Sequence, residues 1–184
     1  MKKRAVVWLL AVSIIGILCL LFFDSSIVDY MSSIQNVYLD ALFSVLESYW
    51  AIILIVIAVL AMLAINHKNK SIGVFILTLV SSTIASFALK FIIMRPRPLG
   101  LIELLPIVNW VDYSFPSSHA VFIFSMLPVI SKEFPKLKYL FMALACLIVI
   151  SRIYFNVHYA SDIILGAVIG YLVGYFALRL TERK

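Results

Sequence analysis

The sequence predicts an all-α membrane protein: a single domain over 1–184, crossing the bilayer six times, with both termini in the cytoplasm. Three observations predict it. Of the 184 residues, 64% are hydrophobic and only 13% charged, against roughly 45–50% and about 25% in soluble domains. Mean hydropathy is +1.11. The apolar residues fall in long runs, and a run of about 20 spans the hydrocarbon core of a bilayer. A disordered chain is excluded, and no small soluble core buries this much apolar surface. The net charge of +6 sits in short clusters between the runs. That is the pattern of a topology signal and not of a nucleic-acid surface.

The first span covers about 5–23, after Lys2, Lys3 and Arg4. It is longer than a signal-peptide core and lacks a small-residue cleavage site, so it reads as a retained helix. Residues 24–48 are mixed. Ile34, Val37, Tyr38, Ala41, Leu42, Val45 and Leu46 recur at helical spacing, opposite Gln35, Asn36, Asp40, Ser44 and Glu47. Two readings stay open there: an interfacial amphipathic helix, or a loop helix packed on the protein. The remaining spans fall at about 49–65, 72–94, 117–130, 140–154 and 160–178. Arg95, Pro96, Arg97 and Pro98 end the third, because a regular helix does not continue through that run. Pro128 sits near the end of the fourth, where neighbouring groups satisfy the freed carbonyl.

Eleven of the 15 lysines and arginines lie at one set of span ends, and only Lys90, Arg95, Arg97 and Arg152 lie at the other. The positive-inside rule puts the larger set in the cytoplasm. Asp24, Asp29, Asp40, Glu47, Glu103 and Asp112 then face outward. Cys19 and Cys146 lie inside apolar runs and read as packing residues with no disulfide framework. His67, between polar neighbours, reads as a solvated loop residue.

The four outward cations are the exception that points to chemistry. A charge within or beside a span is costly and marks a functional site by default. On the same side, Ser117, Ser118 and His119 open the fourth span after Pro116. Free backbone N–H groups at a helix start suit an anion such as phosphate. A plain serine cap explains that feature alone. His158 and Asp162 share one helix face at a spacing of four, and a carboxylate beside an imidazole fixes its tautomer. Three cations, two histidines and one orienting carboxylate suit phosphoryl transfer, in which positioning and charge stabilisation dominate. No acidic cluster suggests a divalent ion, and the reading includes no metal and no cofactor.

These residues resemble the signature of the type 2 phosphatidic acid phosphatase (PAP2) superfamily. Its first motif is a lysine, six residues, then Arg-Pro, matched by Lys90, Arg97 and Pro98. The second, Pro-Ser-Gly-His, is matched by Pro116, Ser117 and His119, with Ser118 in place of glycine. The third is Ser-Arg, five residues, His, three residues, Asp, matched by Ser151, Arg152, His158 and Asp162. The six-span layout is similar to the family's membrane branch, whose helical core it shares with soluble haloperoxidases.

The resemblance implies roles. His158 is the nucleophile that forms a phosphohistidine, Asp162 orients it, and His119 is the general acid for the departing lipid alcohol. Lys90, Arg97, Arg152 and Ser117 hold the phosphoryl oxygens, together with the backbone N–H of Ser118. The Ser118 side chain either crowds the phosphate or adds a hydroxyl donor. Arg95 lies outside the matched positions and either touches a head group or sits in the loop. The implied activity is metal-independent hydrolysis of a phosphorylated membrane lipid on the extracytoplasmic face of the cell membrane. Undecaprenyl diphosphate is favoured as substrate, with phosphatidylglycerophosphate close behind. Leu101, Ile102, Leu104 and Leu105 either line a lipid entrance or pack over helix ends. Two other classes stay open: a phosphotransferase using the same histidine, and a non-enzymatic lipid-binding membrane protein.

Overall fold

Apolar runs, serine and asparagine caps and two proline-rich breaks divide the chain into helices. The structure is a computed structural model describing residues 21–98 and 113–182, in which seven helices and no strand are found. The described part of α1 covers 21–33. It is followed by α2 (Val37–Glu47), α3 (Tyr49–Ile65), α4 (Asn69–Ile93), α5 (Ser118–Glu133), α6 (Lys138–Tyr154) and α7 (Ala160–Glu182). Most of the expected first span, with Cys19, lies outside the described residues. So does the proposed lipid entrance at Leu101, Ile102, Leu104 and Leu105.

The region read as one mixed segment over 24–48 is two helices. Residues 24–33 continue α1, and the break comes at Asn36. Its Oδ1 accepts the backbone N–H groups of Tyr38 and Leu39, each at 3.1 Å, a side-chain cap that starts α2. Two polar side chains tie the start of α2 to the end of α6. Tyr154 Oη donates to Asp40 at 2.6 Å, and Gln35 just ahead of the helix donates to the Tyr154 carbonyl at 2.6 Å. Val37, Tyr38, Leu42 and Val45 point outward. The helix thus packs on the protein through Phe43, its buried residue, whose ring lies 4.8 Å from that of Tyr154, with Leu39 and Leu46 half-buried beside it. Ser48 then caps α3, its Oγ accepting from Trp50 N–H at 3.1 Å, and α2 meets α3 at a bend of 51°.

The molecule is polar along its inner seams. Ser71, Thr78, Ser82, Ser86 and Lys90 form the inward stripe of α4, while Ile76, Val80, Ile84 and Ile92 face out. Outward apolar faces are what a lipid solvent favours. α5 is the central helix, with 10 of its 16 residues buried. It lies against α7, where Gly166, Gly170 and Gly174 recur every fourth residue. A Cβ on Gly170 would lie 2.2 Å from the Val121 carbonyl oxygen, and one on Gly174 2.0 Å from that of Ser125. The two backbones touch, as small residues at a four-residue spacing permit. Phe75, Ile123, Met126 and Ile148 fill the core around this pair.

Among the described residues two helices, α4 and α7, are each long and apolar enough to cross a membrane, or three spans if the bent pair α2–α3 counts as one. The expected spans at 49–65, 117–130 and 140–154 correspond to helices of 17, 16 and 17 residues. At 1.5 Å per residue each is roughly 24–26 Å long, short of the roughly 30 Å hydrocarbon core.

Candidate active site

The end of α4, the starts of α5 and α7 and the end of α6 converge with the α2–α3 corner. The α5 and α7 starts are tied directly, Ser117 N–H donating to the Asp162 carbonyl at 3.2 Å. At the end of α4, Met94 takes a left-handed backbone (φ 48°), an uncommon conformation for a residue with a side chain. Pro96 follows, and α4 does not continue past it. The loop closes as Ser114 N–H donates to the Arg95 carbonyl at 2.8 Å.

Each residue expected from the sequence is found at this convergence. Lys90 is buried and donates from Nζ to the Tyr113 carbonyl. Arg97 donates to the Val157 carbonyl at 2.7 Å. Ser117 is fully buried, and its Oγ has no hydrogen-bond partner among the described residues. A buried hydroxyl in that state is unusual and is available to an incoming acceptor. The Ser118 hydroxyl pairs with Ser86 of α4 at 3.0 Å, so it braces α5 against α4. His119 is buried, stacked on Tyr49 with ring centroids 4.7 Å apart. It lies within electrostatic reach of His158, Arg152 and Arg97.

Arg152 is 6% exposed. Its Nη1 lies 2.8 Å from Glu47 Oε1 and 3.3 Å from the Glu47 carbonyl. The same carbonyl lies 3.0 Å from His119 Nε2. Glu47 at the α2–α3 corner therefore occupies one arginine and one histidine of the site at once.

His158 sits in the turn ahead of α7 and is 2% exposed. Burial, reinforced by Arg97 and Arg152 and opposed by Asp162, pushes its pKa down to about 3. The imidazole is accordingly neutral near pH 7, the form in which a ring nitrogen is nucleophilic. Its Nδ1 lies 3.8 Å from Asp162 Oδ2, beyond hydrogen-bond length. Asp162 is fully buried, with its oxygens engaged elsewhere. Oδ2 accepts Tyr159 N–H at 2.9 Å and the Ser114 hydroxyl, and Oδ1 accepts Arg95 Nη1 at 2.6 Å.

Sequence reasoning missed Arg95, Asp24, Glu47 and Ser114. A signal existed for three of them. Arg95 was one of the four outward cations, and Asp24 and Glu47 were outward acids beside apolar runs, where a charge requires a partner. Among the described residues, no group of three or more His, Cys, Asp or Glu side chains is arranged to hold a metal ion.

The profile described as "PAP2 superfamily" matches residues 71–184, a segment that contains every site residue drawn from the three motifs. The chain belongs to the PAP2 superfamily. Over 163 residues this PAP2 chain is 26% identical to the lipid A 4'-phosphatase of Porphyromonas gingivalis, a match covering 82% of this chain and 69% of that protein. Over 131 residues it is 27% identical to the undecaprenyl-diphosphatase of Sulfolobus acidocaldarius, covering 67% of this chain and 62% of the relative. The chain thus spans about two thirds of the length of these relatives. The crystal structure of Aquifex aeolicus LpxE shares the fold with a TM-score of 0.69 at 26% identity, covering 85% of this chain and 95% of that one. The fold is likewise similar to the crystal structure of a transmembrane PAP2 type phosphatidylglycerolphosphate phosphatase from Bacillus subtilis, with a TM-score of 0.70 at 20% identity, covering 92% of this chain and 94% of that one.

Proposed function

We propose that this chain is a metal-independent phosphatase of phosphorylated membrane lipids that works through a phosphohistidine on His158. The observation that carries the reading is the buried, neutral His158 among arginines, with a second buried histidine, His119, at the start of α5. Because Nδ1 faces Asp162, Nε2 is the nitrogen left to attack phosphorus. As the N–P bond forms, the bond to the lipid oxygen breaks, and His119 gives that oxygen a proton. Asp162 compensates the positive charge that the imidazole gains, and the 3.8 Å separation shortens as that charge develops, as catalytic contacts do on substrate binding. Lys90, Arg97 and Arg152 bind the phosphoryl oxygens with Ser117 and the Ser118 N–H, and the cations supply the charge neutralisation. Water, activated by His119, then cleaves the N–P bond, releasing phosphate and restoring His158.

Undecaprenyl diphosphate is the favoured substrate, a choice that the undecaprenyl-diphosphatase relative supports, with phosphatidylglycerophosphate next. The test is phosphate release by purified protein in detergent with EDTA, comparing both lipids. Release by the wild type and loss of release by a folded His158→Ala variant is the expected result. Full activity of that variant would remove the nucleophile assignment, and EDTA inhibition reversed by Mg²⁺ would remove the metal-free site.

The same reading has six crossings, cytoplasmic termini and an extracytoplasmic site, supported by the charge asymmetry of the chain ends. A cysteine introduced at Pro98 is expected to react with an impermeant thiol reagent added to intact cells. Labelling only after lysis would invert the orientation.

A further inference from the structure

The carboxylate beside the nucleophile is tied into a chain of charges that begins far from the sequence motifs. Arg95 bridges two buried acids: Nη1 lies 2.6 Å from Asp162 Oδ1 and Nη2 lies 2.8 Å from Asp24 Oδ2. Its guanidinium lies over the Tyr159 ring at 4.0 Å, and Nη1 also donates to Ser161 Oγ at 2.7 Å. Asp24, 2% exposed, accepts Ser161 N–H at 3.0 Å and the Ser161 hydroxyl. Helix α1 thereby holds the first turn of α7, and Arg95 is fixed on three sides.

The charges explain why two acids are needed. Arg95 alone with Asp162 would make a neutral pair, and the arginine would absorb the negative charge that the imidazole requires. With Asp24 sharing Arg95, the triad carries a net charge of −1. Asp162 is held in place without being neutralised. Lone buried charges are costly, whereas paired and hydrogen-bonded ones are tolerated.

We propose that Asp24 and Arg95 are positioning residues for catalysis: they hold the Asp162 carboxylate at His158 and leave the cluster its negative charge, and they do not bind the phosphate. This rests on the reading that His158 is the nucleophile. Arg95 thus differs in kind from Arg97 two residues on, even though both belong to the same Arg-Pro-Arg-Pro run.

The experiment measures kcat and KM for undecaprenyl diphosphate, or for phosphatidylglycerophosphate if that lipid is turned over faster, in detergent. The variants are Asp24→Asn, Arg95→Met, Arg95→Lys and the Asp24→Asn/Arg95→Met double, with His158→Ala as control. Asp24→Asn and Arg95→Met are each expected to lower kcat by about 10- to 100-fold with KM unchanged. That is less than the loss of about 10⁴-fold when the orienting aspartate of a serine protease triad is replaced. Arg95→Lys should recover part of kcat, and the double variant should lose less than the product of the single losses, as groups acting as a unit do. A raised KM with kcat retained would make Arg95 a phosphate ligand and overturn the proposal, as would no change in either constant. If Arg95→Met does not fold, the isosteric Asp24→Asn and the charge-preserving Arg95→Lys decide by the same kcat-against-KM split. Activity surviving in His158→Ala would instead remove the underlying nucleophile reading, an outcome separate from the behaviour of Asp24 and Arg95.

Discussion

The α5–α7 pair and helix α3 are built from the same apolar alphabet and behave in opposite ways. α5 buries 10 of 16 residues, and its backbone touches that of α7 at Gly170 and Gly174. α3 buries only Ile52, Val59 and Leu63 of its 17 residues, one narrow stripe, and turns Trp50, Leu54, Ile57 and Ile65 outward. Both read as apolar runs, yet α3 is the more apolar and the less buried, so hydropathy does not decide which helix is buried. What separates them is side-chain size at the contact. Glycine lets two helices approach until backbone meets backbone, while α3 packs on α4 and α5 through the bulkier side chains of Ile52, Val59 and Leu63. Chemistry follows the close contact: His119 and Asp162 lie in the first turns of the two helices that touch.

A graded substitution series breaks or sharpens this contrast, read as thermal unfolding in detergent. The largest effect is expected at Gly170→Ala or Gly174→Ala, where the new methyl meets carbonyl oxygens at 2.2 Å and 2.0 Å. Backbone cannot swing aside as a side chain does, so loss should reach or exceed about 3 kcal/mol, the upper end of ordinary overpacking. Gly166→Ala is intermediate. Its methyl would sit 3.1 Å from Ala120 Cβ and 3.2 Å from the Ser117 carbonyl, a few tenths of an ångström too close, for an expected cost of about 1 kcal/mol. Leu54→Ala on the outward face of α3 should stay within about 0.5 kcal/mol. Equal losses at Gly170 and Leu54 would show that close backbone contact is not what distinguishes the two regions.

The sequence made the approximate places of α3 to α7 legible because polar or proline-rich stretches such as the Arg-Pro-Arg-Pro run separate the apolar runs, while α4 begins before the expected span and α5 and α7 run past theirs. The break at Asn36 was not legible, because the polar residues of 24–33 look like the end of a span when they continue its helix, with Asp24 turned inward and most of the others exposed. The motif residues Lys90, Arg97, Ser117, His119, Arg152, His158 and Asp162 were readable because their spacing is local to helix starts and ends. Asp24 and Glu47 were not assigned, for a physical reason: their partners are supplied by folding. Asp24 meets Arg95 71 positions away, and Glu47 meets Arg152 105 positions away. The partner of the Ser118 hydroxyl, Ser86 of α4, lies 32 positions away and was likewise supplied by folding. The glycines every fourth residue in α7 were a signal present in the sequence and not read.

The α2–α3 corner has a consequence for the resting molecule. With its carboxylate on Arg152 and its carbonyl on His119, Glu47 acts as an internal counter-ion. A buried cationic cage would otherwise draw in whatever small anion the medium offers. On the proposed function, a phosphate group that reaches Arg152 meets an acid the chain itself already holds there. That acid lies at the 51° bend between two helices, so the position of this counter-ion is tied to the angle at which α2 meets α3.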